Sequence, residues 1–235
     1  SCNETHETKG KVCCGVPIEL HVSTSSRCCH QRNTLEYSIM VDVKTHMCFP
    51  TNIHEIKMNM NKNDRKNMTS YMSMKSIAGK FSNGAEDDLH TTSIFKPLAD
   101  EIVKCSKIIL EKFEYQFEDV DITSMWGNVL NRGNAHPPHT HSNNILSGVY
   151  YLQSGSPIQF FDPRPAAHIF KPRNSPNWDN SAMVQFNSVV DTAFFFPSWL
   201  MHWVPPTPNE RISIAWNILV RGHYGEPNTL QNAYI

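Results

Sequence analysis

Arg211-Ile-Ser-Ile-Ala-Trp-Asn-Ile-Leu-Val220 alternates large apolar residues with small or polar ones along most of its length. Side chains at i and i+2 share one face of a strand. Ile212, Ile214, Trp216 and Ile218 therefore fall on one side, and Arg211, Ser213, Ala215 and Asn217 on the other. The first face calls for an apolar layer to cover it. The second turns a guanidinium inward among small polar neighbours, which is costly unless an anion meets it. A carboxylate can do so bidentately, with the Ser213 hydroxyl adding a bond.

The chain around this strand has the same character. Ile122–Leu130, Ile145–Leu152, Pro157–Phe161, Met183–Phe186 and Thr192–Phe196 are short β-rich runs separated by Pro, Gly and Asn turns. Several such runs predict an antiparallel barrel or sandwich. Ahead of them, Ser93–Phe117 reads as a helix, with Leu98, Ile102, Cys105, Ile109 and Phe113 forming one apolar stripe. That stripe predicts a helix packed on the outer face of one sheet. Residues 56–76 mix Lys, Asn and Met and read as a solvated helix or loop, and Ser82–Asp88 as a loop. Leu35–Val43 and Met47–Ile53 are strand-like. The expected organisation is an irregular, Cys-rich segment over 1–34 and a single domain over 35–235, mainly β with flanking helices.

Composition narrows the function classes. The 235 residues are 40% hydrophobic, with 10 Gly and 15 Pro, too few for a disordered or collagenous chain. Lys plus Arg number 21 against 22 Asp plus Glu, so no basic surface for a phosphate backbone is expected. The longest apolar run, Ala193–Met201, is broken by Pro197 and Ser198 and is far short of the roughly 20 residues of a spanning helix. No positively charged, then apolar, leader is visible, so a cytoplasmic protein is expected. Of seven Cys, five (Cys2, Cys13, Cys14, Cys28 and Cys29) precede residue 30, which is no disulfide framework for the whole chain. A zinc knot of these with His21 or His30 is disfavoured, because zinc modules normally space their Cys by two to four residues. The sequons at Asn3 and Asn67 mean little without a secretory signal.

The unusual number is 12 His, three of them in His136-Pro-Pro-His139-Thr-His141. Imidazoles at i and i+2 at the mouth of a strand can point the same way. Prolines at 137 and 138 stiffen the approach. Such a chelating pair suits a metal, and His202, in Phe196-Pro-Ser-Trp-Leu-Met-His202, is placed to supply a third ligand from a distant strand. Arg211 follows nine residues later. Three ligands with a carboxylate clamp nearby are the layout of an iron oxygenase with an oxo-acid cosubstrate.

Trp126-Gly-Asn128, His139-Thr-His141, Ser147-Gly-Val-Tyr-Tyr151, Phe161-Asp-Pro-Arg164, Phe196-Pro-Ser-Trp-Leu200, His202 and Arg211-Ile-Ser-Ile-Ala215 together resemble the small 2-oxoglutarate/iron(II)-dependent oxygenases of phages and marine bacteria. Pro138-His-Thr140 and the spacing from His202 to Arg211 are more distantly similar to the aspartyl/asparaginyl β-hydroxylases. The resemblance spans about residues 45–221 and implies a double-stranded β-helix (jelly-roll) core, Fe(II) and 2-oxoglutarate as cosubstrate. It implies His139 and His202 as metal ligands. Arg211 would pair with the distal carboxylate of 2-oxoglutarate, with Ser213, Tyr151 and Asn128 in the same pocket. At position 141 the family most often has Asp or Glu, and this chain has His. Either three imidazoles hold the iron, or His141 stands behind it and water replaces the carboxylate.

The remaining candidates carry plainer expectations. His136 reads as a loop residue or substrate contact, and Trp199, Trp203, Phe194–Phe196 and Tyr150 as core. Asp162 and Arg164 read as an exposed turn. The expected activity is hydroxylation of a C–H bond in a small-molecule, amino-acid or protein substrate, with release of succinate and CO2; no membrane or nucleic-acid partner is expected, and a homodimer is left open. The rivals are a cupin-like three-His metalloprotein that uses no 2-oxoglutarate, and a non-catalytic jelly-roll binding or virion protein.

Overall fold

The computed structural model describes residues 44–77, 88–167, 169, 173 and 175–235. The segment 1–34 with its five Cys, the run Leu35–Val43 and most of the loop 82–88 lie outside the described residues. From Met47 onward the chain forms one compact unit.

The expected strand over Met47–Ile53 is irregular, and pairing begins one residue later in β1 (His54–Lys57). Next comes α1 (Lys62–Ile77), where the Asn61 side chain accepts the Asn63 N–H, an N-cap contact. This helix is not wholly solvated. Met68 and Met72, one turn apart, are fully buried, and a polar sequence hides so narrow a stripe. A 3-10 turn at Leu89–Thr91 leads to α2 (Lys96–Lys112), shorter at both ends than the stripe suggests. Pro97 sits in its first turn. At the far end Glu114 takes φ 58°, its N–H bonds to Glu111 O and the Tyr115 N–H to Leu110 O, a Schellman closure. Phe113 is left 40% exposed outside the stripe.

The β region then runs β2 (Asp119–Leu130), β3 (His136–His139), β4 (Leu146–Gln153), β5 (Ile158–Phe161), β6 (Met183–Phe186), β7 (Thr192–Pro197), β8 (His202–Val204) and β9 (Arg211–Arg221). Two short strands, β10 (His223–Tyr224) and β11 (Ala233–Tyr234), close the chain as a pair. One antiparallel sheet has the order β1-β7-β4-β9-β2 and the other β3-β8-β5-β6. Strands β2 to β9 switch sheet repeatedly along the chain, which is the double winding of a jelly-roll core.

Alternation on β9 holds. Ile212, Ile214, Trp216 and Ile218 join Leu98, Ile102 and Ile109 of α2 and Met68 and Met72 of α1 in one core outside the larger sheet. A second core fills the space between the sheets, from Val149, Tyr151, Phe194 and Phe196 on one side and Ile158 and Phe160 on the other. Gly148 lets β4 and β9 pass closely, because a Cβ there would meet the Trp216 indole and lie 2.8 Å from Phe194 O. Phe194–Phe196 and Tyr150 are core as expected. Trp199 is not; it is 57% exposed on the turn before β8. Trp203 is half-buried, and its Nε1 donates to Met183 Sδ at 3.4 Å.

Candidate active site

The two central His face each other by strand pairing. His139 ends β3 and His202 begins β8, and they are directly opposed in register. Cross-strand partners place their side chains side by side, and the ring centroids are 4.3 Å apart. β3 is the edge of its sheet, which is why it tolerates Pro137 and Pro138 without ladder donors. His141 lies just past the strand, where its backbone N–H donates to Ser198 O at 2.9 Å. Its ring packs 5.5 Å from that of Trp126 and 5.0 Å from that of His139.

Ring tautomers follow from the partners. His139 Nδ1 lies 2.8 Å from Pro137 O and His202 Nδ1 lies 2.9 Å from Leu200 O. A carbonyl only accepts, so both Nδ1 atoms carry a proton, which in a neutral ring leaves Nε2 as the bare nitrogen. His141 Nε2 faces His202 Nε2 at 3.3 Å, a pair that needs a proton or a cation between the nitrogens. One nitrogen from each ring lies within 4.8 Å of the others. Among the described residues this is the one group of three or more His, Cys, Asp or Glu side chains to converge in this way. Burial is the main reason that the His202 pKa falls to about 3 and the His141 pKa to about 4. Both rings are therefore neutral at physiological pH, the form that ligates a metal.

His136 belongs to β3 rather than to a loop. Its ring stacks on His139 with centroids 4.4 Å apart. Burial first, then the charges of His139 and Arg211, lower its pKa to about 4.

The inward face of the larger sheet supplies the anion pocket. Ser213 on β9 pairs with Asn128 on β2 and with Tyr151 on β4, so the three residues form a row, and Arg211 lies two residues along. Arg211 is 2% exposed. Its Nη1 donates to Ser213 Oγ at 2.8 Å, its Nε to Ser156 O at 3.2 Å, and its Cζ stands 4.9 Å from the Tyr151 ring centroid. Among the described residues no carboxylate pairs with it, and burial pulls its pKa below the usual value while the nearby Tyr151 phenol works the other way. The Tyr151 hydroxyl is buried beside the Arg211 guanidinium with no acceptor for its proton, and burial raises its pKa. A buried cation and an unused phenol donor on one wall fit a bound carboxylate. Asn128 is half-buried at the end of this row, and its side chain makes no hydrogen bond among the described residues.

His139 and His141 are half-buried and His202 is buried where their nitrogens converge, while Arg211, Ser213, Tyr151 and Asn128 lie along one face of the larger sheet. Asp162 and Arg164 form an ion pair in a turn, with Arg164 largely exposed. Sequence reasoning missed Ser156, whose carbonyl holds Arg211, and Ser198, which holds His141. Ser156 and Ser198 lie in strand connections far in sequence from the residues they hold, which no local spacing signals. A cavity of about 650 Å³ lies elsewhere, between α2, β1 and the loop after His141, and none of the His triad or Arg211 lines it.

Residues 124–217 match a family model described as "Putative 2OG-Fe(II) oxygenase". A comparison with curated proteins finds no match. Among solved structures, a prolyl-4-hydroxylase from Pseudomonas putida is similar at 14% identity, with a TM-score of 0.55 over 73% of this chain and 94% of that one. HygX from Streptomyces hygroscopicus, solved with nickel and 2-oxoglutarate bound, is similar at 12% identity, with a TM-score of 0.52 over 72% of this chain and 83% of that one. SnoN, an alpha-ketoglutarate-dependent epimerase of nogalamycin biosynthesis, is similar at 10% identity, with a TM-score of 0.54 over 77% of this chain and 83% of that one. At such identities the likeness is one of fold. The similarity to the aspartyl/asparaginyl β-hydroxylases rests on sequence motifs alone. His139, His141, His202 and Arg211 all lie within the span, residues 124–217, that is similar to this family.

Proposed function

We propose that this chain is a 2-oxoglutarate- and iron(II)-dependent oxygenase that hydroxylates a C–H bond of a small-molecule, amino-acid or protein substrate. The observation that carries the reading is the pairing of two features: three imidazoles with converging nitrogens, and a buried Arg211 with no carboxylate partner among the described residues. His139, His141 and His202 would hold the iron, and Arg211 with Ser213 would bind the far carboxylate of 2-oxoglutarate. Iron and cosubstrate, once bound, supply O2-dependent oxidation with conversion of 2-oxoglutarate to succinate and CO2.

The protein's own part is geometric and electrostatic. The Pro137 and Leu200 carbonyls fix two ring orientations and raise the basicity of the ligating nitrogens. Phe160 and Phe196 pack against the His202 ring, at centroid distances of 5.8 and 4.7 Å, and keep water from its inner side. Arg211 is held from two directions, by Ser156 O and Ser213 Oγ, so its remaining N–H groups are aimed before any ligand arrives. A dianionic cosubstrate would offset the charge of iron held by neutral ligands, which is compatible with His rather than Asp at position 141.

A second reading, a three-His metalloprotein that uses no oxo-acid, draws on the His at position 141. It leaves Arg211 buried without a counter-charge. Incubation with iron(II), ascorbate, O2 and 2-oxoglutarate tests the choice. The proposal expects succinate above background in the wild type and none in His202→Ala. Iron binding without any succinate favours the second reading.

A further inference from the structure

His139 and His202 each have a ring N–H tied to a backbone carbonyl, and His141 has no such tie: its Nδ1 makes no hydrogen bond among the described residues. Its main chain is held instead, through Ser198. The His141 N–H donates to Ser198 O at 2.9 Å, and the Ser198 N–H donates to Ile145 O at 3.1 Å, so one residue clamps both ends of the loop that carries the third imidazole. Ser198 is fully buried, and its hydroxyl is the start of a chain of polar contacts. Ser198 Oγ lies 2.8 Å from Ser147 Oγ, and Ser147 Oγ lies 2.7 Å from Asn217 Oδ1. An amide oxygen only accepts, so the Ser147 proton goes to Asn217 and the Ser198 hydroxyl donates to Ser147. Asn217 Nδ2 in turn donates to Ser124 Oγ at 3.0 Å.

We infer that Asn217 is a positioning residue for the third metal ligand, acting on His141 through Ser147 and Ser198. The inference rests on the proposed metal site and adds to it a component from the far strand, β9. Asn217 and Ser124 belong to β9 and β2, Ser147 to β4, and Ser198 to the turn between β7 and β8. The network therefore fixes that turn against three strands of the larger sheet. Each side-chain member bonds to the next, and the Asn217 amide oxygen, which only accepts, sets the direction of the two hydroxyl protons. Without Asn217, Ser147 loses its acceptor and the Ser198 hydroxyl can turn away. The clamp on residues 141–145 then loosens while the rings of His139 and His202 keep their own carbonyl ties.

The test is a thermodynamic cycle on metal affinity, read from the visible absorption of cobalt(II) titrated into the full chain as a stand-in for iron(II). Asn217→Leu should weaken cobalt binding about tenfold or more, the size expected when a group that orients a ligand is lost. The same substitution in a His141→Ala background should have no further effect, because the ligand it positions is gone. Equal weakening in both backgrounds, or unchanged affinity in the single variant, overturns the inference. Should Asn217→Leu fail to fold, Ser198→Ala carries the same cycle, since it removes one hydroxyl and keeps both main-chain bonds. A wild type that binds no cobalt overturns the metal site and the inference with it. Normal wild-type binding with an additive cycle overturns the inference alone.

Discussion

Arg211 is the residue on which the chemistry of the pocket turns. Its charge is buried, its donors are partly used by Ser156 O and Ser213 Oγ, and no described carboxylate neutralises it. Arg211→Met keeps much of the side-chain volume and removes the charge. Charge-assisted hydrogen bonds contribute about 1.5–3 kcal/mol each, so 2-oxoglutarate should bind about a hundredfold more weakly to the variant. Metal affinity should stay within a few-fold of wild type, because no His contact is touched. Parallel titrations of cobalt(II) and of 2-oxoglutarate check the split; loss of both together would mean that Arg211 supports the fold rather than the ligand. Much of this site was readable residue by residue. The alternation over Arg211–Val220 and the pair His139-Thr-His141 are local patterns. The network Ser124, Asn217, Ser147 and Ser198 was not readable, because its members come from four separate segments and small polar residues at those positions have many other uses.

At the scale of elements, the helix α2 shows where pattern stops and geometry takes over. Its stripe located the helix and the face it buries. Its end was overestimated because the terminating residue is Glu114 in a left-handed conformation, where a Gly would have announced the stop. A non-glycine residue in that region costs about 1–2 kcal/mol, and Gly recovers part of this against its own greater loss of freedom on folding. Glu114→Gly should therefore stabilise the protein by about 0.5–1 kcal/mol, read as a higher urea midpoint with unchanged slope. A lower midpoint would mean that the Glu114 side chain has a role its exposure does not reveal. Two strands that sequence reading left without bounds share one trait. β3 is four residues with two prolines and β8 is three residues, too short for alternation to register. These are the strands that bear His139 and His202, so the candidate ligands were legible from residue type and spacing while the bounds of their strands were not.

For the molecule as a whole, the partly buried His cluster couples stability to pH. His136, His141 and His202 have folded-state pKa values near 4, 4 and 3, against 6.5 for a free imidazole. As pH falls below 6.5 the unfolded chain takes up protons at these positions and the folded chain does not, so unfolding is favoured. The contribution is complete above pH 6.5 and is lost progressively down to about pH 3. Metal-free protein should show a urea midpoint that falls steadily from pH 7 to pH 4.5, and His136→Gln should flatten part of that slope. An equally steep slope in the variant would place the acid sensitivity elsewhere. Among the described residues no helix is long and apolar enough to cross a membrane.

The central claim, that one interior holds both iron and an oxo-acid, is tested most directly by anaerobic titration of the full chain with iron(II) followed by 2-oxoglutarate, watched by visible absorption. The account predicts a weak charge-transfer band that appears only when both are present, saturates at one equivalent of each, and is absent in His202→Ala. Iron uptake with no new band at any concentration of 2-oxoglutarate would contradict it.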